Sequence, residues 1–386
     1  MDERTLVEAA RDLAPSLRER ARQTELDREV PASTIKDLQE AGLFRALQPK
    51  RYDGHALSPN AFYEATMELA AACGSTGWVY GVVGVHPWQI ALFPEETQDE
   101  VWAEDSSTLA SSSYAPTGFI EPVDGGYRLR GRWSFSSGSA HCRWVLLGGI
   151  VVRDGIPDHF TFLVPRSDYQ IDDVWHVVGL AGTGSNDIVV EDAFVPARRA
   201  QPTVGTPGTA PGAGLHASPL YRLPFASVFS NAICAATIGI ATGAVDAYRQ
   251  HTLQRFRASV GEKASADPFS QLRLAEAAGE LDDARTQLRR NMEELLQLAE
   301  AGQVISDELR VRVRRDQVRG SRAAVRATDR VFESAGGKAL FLDKPLQRAW
   351  RDVHAARVHA INDTERGLLI YGAHELGAKL PAGSMI

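Results

Sequence analysis

The chain has 386 residues, of which 44% are hydrophobic and 24% are charged, proportions typical of a globular protein with a sizeable core. At ~100–200 residues per domain, this length predicts two or three domains. The net charge of −7 argues against general binding to nucleic-acid backbones. The three dispersed cysteines form no Cys/His cluster, so neither a disulfide framework nor a metal site is expected.

Residues 1–105 predict a helical domain. Ser58 followed by Pro59 is a typical helix start, and Gly42 a typical helix end. The apolar run from Gly77 to Leu92 is too short and too glycine-rich for a membrane span. It predicts a helix buried on all sides, and no membrane association. The charged N-terminal stretch lacks the apolar part of a signal peptide, so a cytoplasmic location is expected.

Residues 106–215 predict a β domain, a barrel or sandwich, of roughly six to eight short strands. Apolar and polar residues alternate from Tyr127 to Phe135, and a buried-strand run begins at Trp144. Glycine and proline are frequent in residues 201–215, which indicates a linker or mobile loop.

Residues 216–386 predict a C-terminal four-helix bundle, because apolar residues return to helical spacing. Small residues at 235–244 indicate close helix packing, and a final long helix is expected from Pro345 to Leu369. The order helical, β, helical predicts an α+β fold that is mostly α. A Rossmann domain is disfavoured, because it would alternate strands with helices.

Two segments, Ser111–Pro116 and Trp133–Gly138, combine hydroxyl groups with aromatic rings at predicted strand ends. A planar heteroaromatic cofactor needs that mixture of a flat apolar face and hydrogen-bonding groups. From the residues alone, serine-rich turns beside core aromatics are the commoner explanation. The turn at residues 179–186 is equally compatible with a ligand-binding loop and with ordinary turn chemistry.

Two histidines are candidates for acid–base chemistry. If residues 345–369 form one helix, Asp352, His359 and Asp363 share a stripe, and Asp363 can orient or charge His359. A histidine there would suit deprotonation of a phenol. A surface helix with ion pairs is the simpler alternative. His86, next to Pro87 in the buried run, is the second candidate, or a hydrogen-bonded core residue.

The chain resembles the acyl-CoA dehydrogenase superfamily in its domain order and in the stretch Gly182–Asn186. It is similar, more narrowly, to the oxygenase components of two-component (group D) flavin-dependent monooxygenases, including secosteroid phenol hydroxylases and aromatic polyketide hydroxylases. Four segments carry this resemblance across nearly the whole chain: Gly74–Trp78, Ser111–Pro116, Trp133–Gly138 and Arg357–Asp363. The resemblance implies an acyl-CoA dehydrogenase-like fold and a homotetramer.

The resemblance also implies a set of site residues. The catalytic residues would be His359, Ser137 and His86, with Ser137 donating a hydrogen bond to the flavin. The flavin-binding residues of the same chain would be Trp78, Ser112, Ser113, Tyr114, Phe135, Ser136, Ser137, His359 and Ala360, and a neighbouring subunit would supply Arg255, Gly337 and Lys338. Phe135 and Lys338 depart from the family pattern, which has a tryptophan and a smaller polar residue there.

The implied activity is hydroxylation of a phenolic or polycyclic aromatic substrate, such as an aromatic polyketide or a secosteroid phenol. The cofactors would be O2 and reduced flavin, FMNH2 or FADH2, supplied by a separate reductase. The reaction would pass through a C4a-hydroperoxyflavin, with the phenol losing its proton to His359. Two alternatives are an acyl-CoA dehydrogenase-type FAD oxidoreductase, which needs a carboxylate base, and a non-catalytic helical assembly protein.

Overall fold

The computed structural model of the chain describes residues 1–153, 155–257, 261–380 and 384–386. Six helices precede the first strand: α1 (Glu3–Asp27), α2 (Ala32–Glu40), α3 (Pro59–Ala72), α4 (Gly74–Gly84), α5 (His86–Ile90) and α6 (Glu95–Trp102). The predicted starts and ends are confirmed. The Ser58 hydroxyl accepts a hydrogen bond from the Asn60 N–H at 3.1 Å, and Gly42 after α2 has a φ of 71°.

The predicted β domain consists of two four-stranded sheets. Its strands are β1 (Ala110–Ser113), β2 (Phe119–Val123), β3 (Gly126–Ser136), β4 (Trp144–Arg153), β5 (Ile156–Pro165), β6 (Gln170–Asp172), β7 (Asn186–Pro196) and β8 (Ala200–Pro202). The sheet orders are β1-β4-β5-β8 and β2-β3-β7-β6. Trp133 joins the sheets, because its ring is fully buried between them and its Nε1–H donates to the Gly148 carbonyl at 2.8 Å.

The C-terminal helices are α7 (Phe225–Gln254), α8 (Pro268–Glu300), α9 (Asp307–Ala335), α10 (Pro345–Arg357) and α11 (Thr364–Glu375), and a two-residue pair, β9 (Phe256–Arg257) and β10 (Glu262–Lys263), follows α7. Helix α7 is long and apolar enough to cross a membrane, but 89% of its apolar window is buried inside the protein. The predicted close packing is confirmed, since a Cβ at Gly239 would lie 2.6 Å from the Met67 carbonyl of α3.

Two sequence predictions need correction. The single helix expected from Pro345 to Leu369 is wrong, because α10 ends at Arg357 and a 3-10 turn, Ala360–Asn362, separates it from α11. The segment 201–215, predicted to be a linker or mobile loop, is partly packed against the rest of the protein. Its Gly212 N–H donates to the Leu92 carbonyl at 2.9 Å and its Ala213 is buried.

One hydrophobic core joins the N-terminal and C-terminal helices, and a separate core lies between the two sheets. A third, smaller cluster joins the ends of α5 and α6 to β1, β4 and β5. The N-terminal and C-terminal helices therefore pack as one body. The domain boundaries at residues 105 and 215 stay a prediction.

Candidate active site

A chain of buried hydroxyl groups begins at Trp78 of α4. The indole Nε1–H lies 3.2 Å from Ser137 Oγ, which lies 2.7 Å from Ser185 Oγ. Ser185 Oγ is 2.6 Å from the Thr183 hydroxyl, which donates to the Leu180 carbonyl at 2.9 Å. Because a hydroxyl has one proton, every bond in this chain points from Trp78 towards Leu180.

This direction gives Ser137 a hydrogen-bonding role that differs from the donor role implied by the resemblance. Its hydroxyl proton is engaged by Ser185, and its backbone N–H donates to the Phe135 carbonyl at 3.0 Å. The Ser137 oxygen accepts from Trp78 and retains one lone pair. It can therefore accept a further hydrogen bond, whereas the sequence prediction made it a donor.

Phe135 is held in an unusual conformation at a bulge near the end of β3. Its φ is 71°, in the left-handed region, and its side chain is 67% exposed. The ring meets the edge of Trp175 with centroids 6.1 Å apart. The next residue, Ser136, is buried and donates to Ser111 Oγ at 3.0 Å. Backbone strain of this kind is typical of functional positions, and it leaves a flat apolar ring open to a ligand.

The Ser112–Tyr114 segment divides between two surroundings. The Ser113 hydroxyl donates to the Ser134 carbonyl at 2.7 Å, so it ties β1 to β3, and Ser112 is partly buried. Tyr114 turns towards α5 and α7, where its ring meets the edge of Phe229 at 5.1 Å. Its hydroxyl donates to Gln89 Oε1, a contact that the sequence analysis did not foresee.

His86 is fully buried and carries an unused nitrogen. Its ring stacks on Phe229 with centroids 6.3 Å apart, and its Nδ1 lies 3.4 Å from the Tyr114 hydroxyl. Since that hydroxyl donates to Gln89, it can only accept from His86 Nδ1–H. Nε2 is then an acceptor, and it has no partner in the part of the chain that the structure describes. Burial lowers the pKa of His86 to about 3, so the ring is neutral at pH 7.

His359 has the opposite arrangement. It lies just before the 3-10 turn that follows α10, with its ring edge-on to Trp78 at 5.6 Å. Its Nδ1 accepts the Ile361 N–H at 3.2 Å. The neutral ring therefore carries its proton on Nε2 and acts as a donor. Burial, reinforced by the charge of Arg314, lowers the pKa of His359 to about 4.

The predicted stripe of Asp352, His359 and Asp363 is wrong, because these residues do not share one helix. Asp363 caps the N-terminus of α11 and accepts the Arg366 N–H at 3.0 Å. Asp352 is buried in α10 and accepts the Leu180 N–H at 2.6 Å. Neither carboxylate contacts His359, so the expected orientation and charging of that ring do not occur. Ala360, beside His359, is exposed.

Arg255, Gly337 and Lys338 lie far from the other site residues of the same chain. Arg255 follows α7 and donates to the carbonyls of Ser334 and Ala335 at 2.9 and 2.8 Å. Gly337 and Lys338 are exposed beside it. At ~1.5 Å per helical residue, Arg255 is about 27 Å along α7 from Thr237, which lies beneath the His359 turn.

The residues around Trp78 fit a planar flavin. Phe135 offers an exposed apolar face, Ser137 an acceptor, and His359 a ring N–H. The dehydrogenase alternative would require a free carboxylate base here, but the buried carboxylate of Asp352 accepts the Leu180 N–H. Among the described residues, no group of three or more His, Cys, Asp or Glu side chains could hold a metal ion.

Comparison with known proteins first defines the class. The acyl-CoA dehydrogenase N-terminal domain matches residues 1–108, and the acyl-CoA dehydrogenase C-terminal domain matches residues 231–364. The fold predicted from the sequence is therefore confirmed.

Individual relatives define the family within that class. The chain is 48% identical over 368 residues to the oxygenase subunit HsaA of a flavin-dependent monooxygenase from Rhodococcus jostii (strain RHA1), covering 95% of this chain and 96% of the relative. It is 39% identical over 366 residues to the oxygenase component of an FADH2-dependent resorcinol hydroxylase from Rhizobium sp. (strain MTP-10005), covering 92% and 90%. The crystal structure of the HsaA monooxygenase from M. tuberculosis matches with a TM-score of 0.95 and 45% identity, covering 100% of both chains. The chain belongs to the family of oxygenase components of flavin-dependent monooxygenases, as its sequence predicted.

Proposed function

We propose that this protein hydroxylates a phenolic or polycyclic aromatic substrate, using O2 and reduced flavin delivered by a separate reductase. The observation that carries the proposal is the pair of neutral histidines with opposite hydrogen-bonding roles. His86 presents an unused acceptor beside aromatic rings, and His359 presents a donor beside Trp78. A phenol and a reduced flavin need these two kinds of partner.

The substrate hydroxyl is proposed to bind His86. This replaces the expectation that the phenol loses its proton to His359, because His359 Nδ1 already accepts the Ile361 N–H and its Nε2 carries the proton. The walls around this residue are Phe225, Phe229 and Tyr114, whose rings lie within 5.5 Å of one another, and a flat apolar substrate suits them. With a pKa of about 3, His86 cannot simply deprotonate a phenol of pKa ~10, because a gap of about 7 units costs about 10 kcal/mol. His86 Nε2 therefore accepts a hydrogen bond from the phenol O–H. It would take up that proton only as the substrate ring attacks the activated oxygen and the O–H becomes more acidic.

The residues near Trp78 are proposed to hold the flavin. When bound, the reduced flavin supplies oxygen activated for transfer to an electron-rich ring. Ser137 would accept a hydrogen bond from a ring N–H of the flavin, His359 Nε2–H would stabilise developing negative charge, and Phe135 would offer its ring for stacking. The apolar helices α4 and α5 exclude water, which would protect the activated oxygen from loss as hydrogen peroxide.

The proposed substrate is an aromatic polyketide or a secosteroid phenol, and either FMNH2 or FADH2 suits the residues present. The resorcinol hydroxylase relative favours FADH2.

A homotetramer is proposed to complete the site, with a neighbouring subunit supplying Arg255, Gly337 and Lys338. Support comes from the separation of these residues from Trp78 within one chain, and from the apolar side chains left exposed beside them. Leu340, Phe341 and Leu342 are each at least 60% exposed. A cytoplasmic location is proposed because all three cysteines are free and buried.

The test uses chemically reduced flavin under controlled oxygen. We expect oxygen consumption and hydroxylated product with a phenol, and no dye reduction with an acyl-CoA thioester. His359→Ala should keep flavin binding and lower the product formed per flavin oxidised. The matched control is His354→Ala, which removes a surface histidine of α10 that pairs with Asp329 at 2.9 Å. Unchanged coupling in His359→Ala, or dye reduction without hydroxylation, would overturn the proposal.

A further inference from the structure

The turn that carries His359 rests on a buried polar cluster. Asn362 is fully buried, and its Oδ1 accepts from Gln317 Nε2 and Ser321 Oγ, each at 2.8 Å. Its Nδ2 donates to the Ala356 carbonyl at 2.8 Å and lies 3.4 Å from Thr237 Oγ1. The cluster therefore ties the turn to α7, α9 and α10, so that the position of His359 is set from below.

Arg314 brings a positive charge into this cluster. Its side chain is 5% exposed, and it donates to the Ile361 carbonyl at 2.6 Å and to Gln317 Oε1. Its Nε has no hydrogen-bond partner, and no carboxylate of the described residues forms an ion pair with it. Burial lowers the pKa of Arg314 to about 10, so the guanidinium is still charged at pH 7.

A buried cation without a carboxylate partner destabilises a fold. The usual structural explanation, a buried ion pair, does not apply to Arg314. A neutral side chain of similar length would satisfy the Ile361 carbonyl at a lower desolvation penalty. The buried positive charge of Arg314 therefore needs a functional explanation.

Ile361 links this charge to the site. Its carbonyl accepts from Arg314, and its N–H donates to His359 Nδ1 at 3.2 Å. The first contact fixes the turn, and the second leaves the His359 proton on Nε2. A positive charge beneath the turn also opposes a second positive charge on the imidazole.

We propose that Arg314 is a positioning residue that holds the turn of His359 through the Ile361 carbonyl and whose buried charge adds to burial in keeping His359 neutral and donating through Nε2–H. The inference rests on the proposed function, because that donor is the group assigned to the reacting edge of the flavin. With Arg314 in place, His359 would remain a neutral hydrogen-bond donor to a lower pH than an ordinary imidazole, whose pKa is ~6.5.

The other groups near Arg314 and the His359 turn come from the elements packed against them. Helix α10 contributes Arg357, which donates to the Asn362 carbonyl at 2.9 Å, and Asp363, which caps α11, acts on Arg314 through its charge. Helix α7 contributes Thr237 and Cys234, and burial raises the pKa of that thiol to about 11. Helix α4 contributes Trp78. Burial has the larger effect on the pKa of His359, and Arg314, which is buried and bonded to the turn, is the charged side chain that adds to it.

The test compares Arg314→Gln, which removes the charge, with Arg314→Lys, which keeps it. NMR of the flavin-free protein labelled at histidine Cε1 follows the titration of His359, whose signal is assigned by its loss in His359→Ala. We expect the His359 pKa to rise by at least about 1 pH unit in Arg314→Gln. In Arg314→Lys it should stay within about half a pH unit of the parent value. The acid limb of product yield per flavin oxidised should move in the same way.

The matched control is Arg310→Gln, one turn earlier in α9, where the arginine pairs with Asp307 at 3.0 Å. It should leave the His359 titration unchanged. Equal titration of His359 in the parent, Gln and Lys proteins, or equal shifts in Gln and Lys, would overturn the proposal. If Arg314→Gln does not fold, the test rests on Arg314→Lys. A His359 pKa near the ordinary ~6.5 in that variant would then overturn the proposal. A shifted titration with unchanged coupling would support Arg314 and contradict the proposed role of His359.

Discussion

Replacement of Phe135 by glycine separates the energetic cost of its strained backbone from the contribution of its ring to flavin binding. A non-glycine residue in the left-handed region costs roughly 1–2 kcal/mol, and Phe135 has a φ of 71°. Glycine removes that cost but adds about 0.5–1 kcal/mol of chain entropy. The side chain is 67% exposed, so its loss removes at most about 1 kcal/mol of burial. The three contributions cancel, and we expect the free energy of unfolding to change by less than about 1 kcal/mol.

Flavin binding should respond differently. Aromatic stacking contributes about 0.5–1.5 kcal/mol beyond burial, so Phe135→Gly should weaken the binding of reduced flavin roughly two- to tenfold. The assays are urea unfolding and an anaerobic fluorescence titration. Phe135→Ala keeps the left-handed strain, so it should be about 1 kcal/mol less stable than the glycine variant.

Phe119 is the matched control, because it is 52% exposed on β2 and its φ is ordinary. Its ring packs under Arg130, whose guanidinium carbon is 4.6 Å from the ring centroid. Phe119→Gly should lower the unfolding free energy by about 1–2 kcal/mol and leave flavin affinity unchanged. If Phe135→Gly were as destabilised as Phe119→Gly and bound flavin normally, the argument from strain and stacking would be refuted.

Two further predictions concern buried hydrogen bonds. Tyr114→Phe leaves Gln89 Oε1 without its donor and leaves His86 Nδ1 without its acceptor. The unfolding free energy should therefore fall by about 1–3 kcal/mol, and the affinity for the phenol should drop while the affinity for flavin stays the same. An unchanged phenol affinity would contradict the assigned hydrogen-bond directions. Burial raises the pKa of Asp352 from 3.8 to about 6, so between these values the folded protein holds a proton that the unfolded chain has lost. Asp352→Asn can still accept from the Leu180 N–H, so above pH 6 this variant should be more stable than the parent protein by up to about 3 kcal/mol. In thermal unfolding scans this difference should shrink as the pH falls towards 4. A difference in stability that stays constant across pH would contradict the effect of burial on Asp352.

Much of the fold could be predicted from the sequence because its signals are local. Ser58 caps α3 through a residue two positions away, and the alternation from Tyr127 onwards follows from the geometry of a single strand. The error at residues 345–369 has the same origin. Apolar spacing continues across Val358, but the turn is held by Arg314 and Gln317, which are more than 40 positions away along the chain.

The residue types of the candidate site were predictable, and their chemical roles were not. From the residues alone it followed that hydroxyl groups, aromatic rings and two histidines occur at element ends, as the family pattern requires. That His86 is an acceptor and His359 a donor follows from the packing of the chain, because Tyr114 and Gln89 orient one ring and the Ile361 N–H orients the other. A neutral imidazole carries its proton on the nitrogen that faces an acceptor, and its other nitrogen can accept a hydrogen bond from a donor. The donors and acceptors that decide between the two nitrogens meet only when distant segments pack together.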